Sequence, residues 1–219
     1  SHPNMGYDYK GVGNGLEVET TWPESDLEMM EKTVGEYSKS EPFHVYYLTV
    51  SGHMNYNFYG NMMCYKHRDD VQDMLDDGYS EAASAYVACQ MEFDQAVEYL
   101  IDSLEDAGVL DDTVIVISGD HYPYGLETEQ IQELSDWEID SMEVHRSTLI
   151  IWNSQMEPVS VDKYCSSLDI MPTLANLFDL PVDSRLVMGR DILSDADPLV
   201  IFNDRSFITD MGRYDASTD

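Results

Sequence analysis

Three apolar runs predict the strands of this chain, at residues 43–50, 113–118 and 146–152. Each run is rich in β-branched, aromatic or other apolar residues and is flanked by polar or turn-forming residues, which is the pattern of a β-strand. The first two runs are apolar nearly throughout, with no alternation of polar positions. This pattern is typical of strands that are buried on both faces of a sheet.

A long amphipathic helix is predicted between the first two strands. Apolar residues recur about every 3.6 positions over residues 80–107, so they form one continuous face. Ser80 is suited to the N-cap and Gly108 to the position just after the last turn. The order strand, long helix, strand is that of a right-handed βαβ unit. We therefore expect an α/β fold with a parallel-sheet core that contains all three strands and has helices on both faces.

Shorter elements complete the pattern. Residues 26–37 have helical spacing, with either Ser25 or Asp26 as the N-cap. A further helix is predicted over 169–178, because Pro172 fits the first turn of a helix, where its missing N–H is not needed. We expect short strands at 199–202 and 206–209, and no internal repeat interrupts what we interpret as one domain over residues 1–219.

The charge of the chain narrows the range of partners. Eleven Lys and Arg stand against 43 Asp and Glu, which gives a formal net charge of −32. Such a surface repels nucleic acids and anionic lipid head groups, so we expect no nucleic-acid partner. A phosphorylated substrate is still compatible, because a bound divalent cation inverts the local field of one pocket. The acidity itself indicates a solvated surface, with diffuse calcium binding as the alternative.

Several common site types have no support in the sequence. The three cysteines have no CxxC spacing, which argues against a disulfide framework and a zinc ribbon. Neither a glycine-rich nucleotide loop nor a GxSxG nucleophile turn follows a strand. No apolar run reaches the roughly 18 residues of a membrane span, and the polar start at Ser1 is not a signal peptide. We expect the chain to be part of a longer protein that carries any targeting or anchoring element.

Asp120 and His121 are the stronger candidates for a functional site. They follow the 113–118 strand directly, and functional groups of parallel sheets gather past the carboxyl ends of strands. Asp and neutral His are good ligands for divalent metals, and Gly119 allows the tight turn that would bring the two side chains together. The alternative is an Asp that caps the next segment beside a hydrogen-bonded His.

His53 is the second candidate. It ends the Ser51-Gly52-His53 segment after the 43–50 strand, where a His can contact a substrate phosphate or act as an acid or base. A lone His is more often structural or simply exposed, so the motif by itself leaves both interpretations open.

Six segments, taken in chain order, carry a resemblance to a known family: Met5-Gly6-Tyr7-Asp8, the strand that ends at His53, Gly119-Asp120-His121, Asp169-Ile170-Met171-Pro172-Thr173-Leu174, 186–193 and 203–209. Together they resemble the sulfatase-like catalytic domain of lipoteichoic acid synthases and related phosphoglycerol transferases, in the alkaline phosphatase superfamily. The chain departs from the family at Gly52, where Asn or Ser is frequent, and at Asn55, where a Pro is frequent.

The resemblance implies a catalytic divalent metal, manganese in many members, with magnesium and zinc as the alternatives. In the family its ligands are a Glu, a nucleophilic Thr and an Asp-His pair, and Asp120 and His121 correspond to that pair. His53 corresponds to a substrate-contacting His. The Glu and the Thr belong to a segment upstream of the Gly-Tyr-Asp match, so Thr20 and Thr21 are not the nucleophile. We expect the chain to be the C-terminal part of a single sulfatase-like domain, inactive alone and a weak binder of metal.

The implied reaction transfers phosphoglycerol from a phosphatidylglycerol-like lipid to a polyol-phosphate or glycolipid acceptor of the cell wall. It would take place at the extracellular face of the cytoplasmic membrane, with membrane contact made by other segments. Two alternatives stay open: a sulfatase or phosphodiesterase of the same superfamily, and a non-catalytic binding domain with the same fold. For Asp169 we expect a structural role, as the N-cap of the helix that contains Pro172, with the N–H of Met171 as donor.

Overall fold

The computed structural model describes residues 2–218, and the chain divides into two compact units, the first ending at Met156 and the second beginning at Glu157. The α-helices of the described residues are α1 (Asp26–Tyr37), α2 (Met62–Lys66), α3 (Gln72–Asp76), α4 (Glu81–Ala107), α5 (Thr128–Glu133) and α6 (Ile170–Leu177). Their strands are β1 (Gly11–Val12), β2 (Gly15–Leu16), β3 (Ile115–Ser118), β4 (Leu149–Trp152), β5 (Leu199–Ile201), β6 (Phe207–Thr209) and β7 (Gly212–Tyr214).

Helix α4 is the central element of the first unit, and both of its predicted ends are confirmed. The Ser80 hydroxyl accepts a hydrogen bond from the backbone N–H of Ala83, 3.3 Å away, which satisfies one of the free donors of the first turn. Gly108 ends the helix in the left-handed conformation, with φ of 75°, which costs glycine little because it has no Cβ. Helices α1 and α2 both pack against α4.

Two apolar clusters are built along α4. One surrounds its N-terminal half and the other its C-terminal half together with α1, whose Met30 and Val34 are buried as the helical spacing predicts. The first cluster comprises Tyr56, Phe58, Met63, Cys64, Val71, Ala85, Ala88, Cys89 and Leu126, and the second Met30, Val34, Ala96, Leu100, Leu104 and Val109.

The strand after α4 is present, but its pairing corrects the prediction. Strand β3 pairs with β4 in antiparallel register, from Ile115 opposite Trp152 to Ser118 opposite Leu149, and not in parallel. The two runs are joined by residues 119–148, which contain the short helix α5, a 3-10 turn at Glu143–His145 and loops, and make no long helical crossover. A direct return of the chain gives antiparallel strands. An apolar run carries no information on strand direction, so the sequence pattern could not show this.

The 43–50 run has no strand assignment and no strand pairing within the described residues, which corrects its prediction as a member of the sheet. Instead, Phe43 and Tyr47 pack beside α1: the rings of Phe43 and Tyr37 are 5.1 Å apart, and the Tyr47 hydroxyl lies 2.7 Å from Oγ1 of Thr33. The intervening Tyr46 and Leu48 are exposed. The run therefore reaches His53 along α1.

In the second unit, strands β5, β6 and β7 form an antiparallel sheet, and the two predicted strands of this region are confirmed. Helix α6 is confirmed as well, and Asp169 is its N-cap residue, but the predicted bond from the N–H of Met171 to the Asp169 side chain is wrong. Asp169 has helical backbone angles, so its carboxylate turns back to accept from the N–H of Ser166 at 2.7 Å and from the N–H of Arg190 at 2.7 Å. Its side chain makes no cap bond to α6.

Candidate metal and substrate site

The Asp120-His121 pair follows β3 directly, as predicted. Gly119, between the strand and the pair, packs closely against Ser147, since a Cβ at Gly119 would lie 2.8 Å from Oγ of Ser147. Oδ2 of Asp120 is 3.5 Å from Nε2 of His121, and the two side chains are 73% and 45% exposed. The two donor atoms thus converge at an accessible point past the end of the strand, where a cation can reach them.

The orientation of the His121 ring leaves one nitrogen available. Its Nδ1 lies 2.8 Å from the carbonyl oxygen of Tyr122, and a carbonyl only accepts, so Nδ1 carries the proton. The neutral ring then presents the lone pair of Nε2 on the side of Asp120. A hydrogen bond from the other ring nitrogen to a backbone carbonyl is the usual way in which a metal-binding His is oriented. The ring of Tyr124, 4.6 Å away, packs on the imidazole.

Asp120 and His121 supply two donors, and among residues 2–218 no group of three or more His, Cys, Asp or Glu side chains is arranged to hold a metal ion. A catalytic metal typically has about three protein ligands and an open position. The donor set that is present, one carboxylate oxygen and one imidazole nitrogen, suits manganese, magnesium or zinc. Asp120 and His121 can therefore supply part of the ligand set of a catalytic metal, and further ligands are needed to complete the set.

His53 lies in a turn that is fixed on several sides. Its N–H donates to the carbonyl of Val50 at 3.0 Å, and its ring is half-buried with the edge of Trp22 at 4.9 Å between ring centroids. Nδ1 lies 2.9 Å from the carbonyl of Met54, so this nitrogen also carries a proton. Nε2 of His53 would therefore donate to a phosphate oxygen only when the ring is the doubly protonated imidazolium.

The segments that carry the two candidates are neighbours. A Cβ at Gly125, four residues after His121, would lie 2.8 Å from Cβ of Met54 and 3.0 Å from Cε2 of Tyr56. The loop after His121 therefore packs against the residues that follow His53. That both side chains serve one ligand stays a prediction.

A buried polar network is centred on Glu92, and no pattern in the sequence predicts it. Glu92 of α4 is fully buried and accepts from Lys66 at 2.7 Å, from His67 Nε2 at 2.7 Å and from the hydroxyl of Ser25. Burial by itself would raise the pKa of Glu92, but the hydrogen bonds from Lys66, Ser25 and His67 outweigh it and lower the pKa. The charge of Glu92 thus ties α4 to α2 and to the start of α1.

A cavity of about 320 Å³ adjoins this network. It is lined by Thr21, Ser25, Glu28, Glu31, Met63 and Lys66, among others, and does not include the Asp120-His121 pair or His53. The hydroxyl of Thr21 already donates to the carbonyl of Pro23 at 2.7 Å. The charged residues that line the cavity are mainly acidic, and its polar groups do not indicate a particular ligand.

The chain belongs to the sulfatase family, whose family model matches residues 3–180. Among curated proteins it is similar to the lipoteichoic acid synthase-like protein YvgJ of Bacillus subtilis, with 24% identity over 97% of this chain and 36% of that protein. It is also similar to lipoteichoic acid synthase 2 of B. subtilis, with 26% identity over 78% of this chain and 26% of that protein. The chain thus spans about a quarter to a third of these relatives.

A solved structure confirms the fold. The crystal structure of the lipoteichoic acid synthase LtaP from Listeria monocytogenes superposes with a TM-score of 0.71 at 21% identity, covering 95% of this chain and 53% of that one. The α/β class with the alkaline phosphatase and sulfatase-like fold, and the predicted family resemblance, are therefore confirmed. Within residues 2–218, no helix is both long and apolar enough to cross a bilayer.

Proposed function

We propose that this chain carries half of the metal site and a substrate contact of a metal-dependent phosphoglycerol transferase. The single observation that supports this most is the convergence of the Asp120 carboxylate and the free Nε2 of His121 past the end of β3. In this proposal the two residues hold a divalent cation, manganese with magnesium or zinc as alternatives, and His53 contacts the phosphate. The lipoteichoic acid synthase relatives supply the reaction class.

The proposed chemistry is transfer of a glycerophosphoryl group. A Thr hydroxyl from a segment upstream of the family match attacks phosphorus, the bond to the diacylglycerol oxygen breaks, and that oxygen takes a proton. The oxygen of an acceptor hydroxyl then attacks phosphorus and displaces the Thr oxygen, and the proton that the acceptor loses restores the Thr hydroxyl. A bound divalent cation supplies charge neutralisation at the phosphoryl oxygens and at the nucleophile. His53 holds the phosphate through Nε2–H while Nδ1–H stays on the Met54 carbonyl.

The charge of the chain bears on where this takes place. With a formal net charge of −32, the surface repels an anionic membrane, so the chain itself does not provide the membrane contact. We propose that the protein works at the extracellular face of the cytoplasmic membrane and that other segments approach the lipid. The donor would be a glycerophospholipid and the acceptor a polyol phosphate or glycolipid; nucleic acid is not a partner.

Two alternative functions, a hydrolase and a non-catalytic domain, can be distinguished from the transferase by the substrates they use and the products they release. A hydrolase of the same family would release glycerol phosphate, or sulfate from a sulfate ester, with no acceptor present. A non-catalytic domain would use neither substrate. The relatives named as lipoteichoic acid synthases favour the transferase over both.

The test is turnover of a fluorescent phosphatidylglycerol analogue and of a sulfate ester with Mn²⁺, by the 219-residue chain and by a version extended upstream. We expect no turnover by the chain alone, because two ligands hold a metal ion weakly and the proposed nucleophile lies upstream. The extended version should release diacylglycerol and leave the sulfate ester intact. Turnover by the 219-residue chain that disappears in Asp120→Ala would contradict us, since the nucleophile would then lie within these residues.

A further inference from the structure

The turn that contains His53 is hydrogen-bonded to Asn61, the N-cap residue of α2. Asn61 is fully buried, and its Nδ2 donates to the carbonyl oxygen of His53 at 2.8 Å. Its Oδ1 has a separate task, accepting from the N–H groups of Met63 and Cys64 at 3.0 Å each, which caps α2. One side chain thus fixes both a helix end and the backbone of His53.

The start of the same turn is held by the first residue of α1. Asp26 is 1% exposed, and its two carboxylate oxygens accept from the N–H of Val50 at 2.8 Å and from the N–H of Ser51 at 3.0 Å. Ser51, which is fully buried, returns a bond, since its hydroxyl accepts from the N–H of Asp26 at 2.8 Å. Burial raises the pKa of Asp26, against the opposing effect of these backbone donors.

A buried carboxylate is costly, and its hydrogen bonds here go to backbone N–H groups of the turn and not to a cation. The carbonyl of Val50 in turn accepts from the N–H of His53, which closes the turn between the two anchors. Residues 50–53 therefore have little freedom to shift. The ring of His53 has its own two constraints, the Met54 carbonyl and Trp22, and both depend on where the backbone lies.

We propose that Asn61 and Asp26 are positioning residues that clamp the 50–53 turn and so fix the direction of His53 Nε2. The proposal rests on the proposed role of His53 as the phosphate contact. Neither residue touches substrate; each acts through the backbone of the turn.

Asn61→Asp separates this role from helix capping. The variant keeps an oxygen for the N–H groups of Met63 and Cys64, but it replaces the Nδ2 donor with an oxygen that faces the His53 carbonyl. Asn57→Asp is the matched control, because Asn57 is only half-buried, its Oδ1 also accepts from two backbone N–H groups, at Tyr59 and Gly60, and the substitution introduces the same charge. Asp26→Asn is the second test variant, since an amide offers one acceptor where the turn needs two.

The first readout is the tautomer of His53 in the 219-residue chain, from two-bond ¹H–¹⁵N spectra of the imidazole. In the parent chain and in Asn57→Asp we expect the Nδ1–H form, as the bond to the Met54 carbonyl requires. In Asn61→Asp and Asp26→Asn we expect at least half of the neutral population to change to the Nε2–H form. An unchanged amide signal of Cys64 would show that α2 is still capped. Retention of the Nδ1–H form in folded Asn61→Asp would overturn the proposal, and if that variant does not fold, the same result in Asp26→Asn would do so.

The second readout is a double-mutant cycle in the upstream-extended version with a phosphatidylglycerol analogue. We expect Asn61→Asp to raise KM roughly tenfold in the parent and to have no further effect in a His53→Ala background, because coupled residues are not additive. Equal losses in both backgrounds would mean that Asn61 acts only through stability, and would overturn the proposal. If the extended version shows no turnover at all, the proposed function fails, while the tautomer readout still decides the positioning role.

Discussion

Alanine at Asp120 or at His121 is expected to lower kcat/KM for a phosphatidylglycerol analogue by about a thousandfold in the upstream-extended version of the protein. A metal ion contributes several kcal/mol of charge stabilisation in phosphoryl transfer, and each 1.36 kcal/mol is about a factor of ten in rate. Because the two side chains converge at 3.5 Å, loss of either one leaves a single donor here. We expect the double variant to be hardly worse than either single variant.

Matched controls for these variants are Asp102→Ala and His44→Ala. Asp102 is an exposed residue of α4, and His44 is an exposed residue that binds the Tyr7 hydroxyl; neither belongs to the candidate site. Both controls should keep the parent rate within about twofold. If Asp120→Ala and His121→Ala behave like the controls, these residues do not hold the catalytic metal, and the alternative in which Asp120 has a structural role would be correct.

Gly189→Ala is expected to disrupt the second unit. A Cβ at this position would lie 1.9 Å from the carbonyl oxygen of Leu168 and 2.8 Å from the backbone N of Asp169. These atoms are backbone and cannot rotate away. The added methyl group must therefore displace residues 189–192 from α6. This displacement breaks two hydrogen bonds, from the N–H of Arg190 to Asp169 and from the N–H of Ile192 to Thr173. We expect a loss of about 3 kcal/mol in local stability.

Native-state hydrogen exchange measures this effect, because it reports the opening of one region without assuming that the whole chain unfolds together. Protection of the Arg190 and Ile192 amides should fall by at least about a hundredfold. The control is Gly35→Ala in α1, where a Cβ meets no atom within 4 Å. That substitution should stabilise α1 by about 1 kcal/mol, as glycine is a poor helix former. Unchanged protection in Gly189→Ala would show that the close approach to Leu168 is not present in solution.

The helices could be predicted because their signals are local. Ser80 and Gly108 mark the ends of α4, and the spacing of Met30 and Val34 marks the buried face of α1, without any knowledge of distant residues. The position of Asp120 and His121 after β3 is local in the same sense. Each of these features depends on residues within about one helical turn or one strand.

Features that depend on distant partners could not be predicted. The antiparallel pairing of β3 with β4 depends on how the connecting loops return, and the unpaired 43–50 run depends on which strands lie beside it. The burial of Glu92 becomes understandable only when Lys66 at the end of α2 and His67 directly after it are seen next to Glu92. From the sequence, Asn61 is simply a polar residue in a loop. Its hydrogen bond to the carbonyl of His53, eight residues earlier, can be recognised only in the folded structure.

The most direct test of the central claim, that Asp120 and His121 form a cation site, is paramagnetic broadening of the histidine ring signals of the 219-residue chain by Mn²⁺. The chain has six histidines, and a salt concentration near 0.1 M screens diffuse attraction by the acidic surface over roughly 10 Å. We expect substoichiometric Mn²⁺ to broaden His121 first, and Asp120→Ala to reduce this broadening to that of exposed His44. Broadening of His121 that never exceeds that of His44 in the parent chain would contradict the metal site.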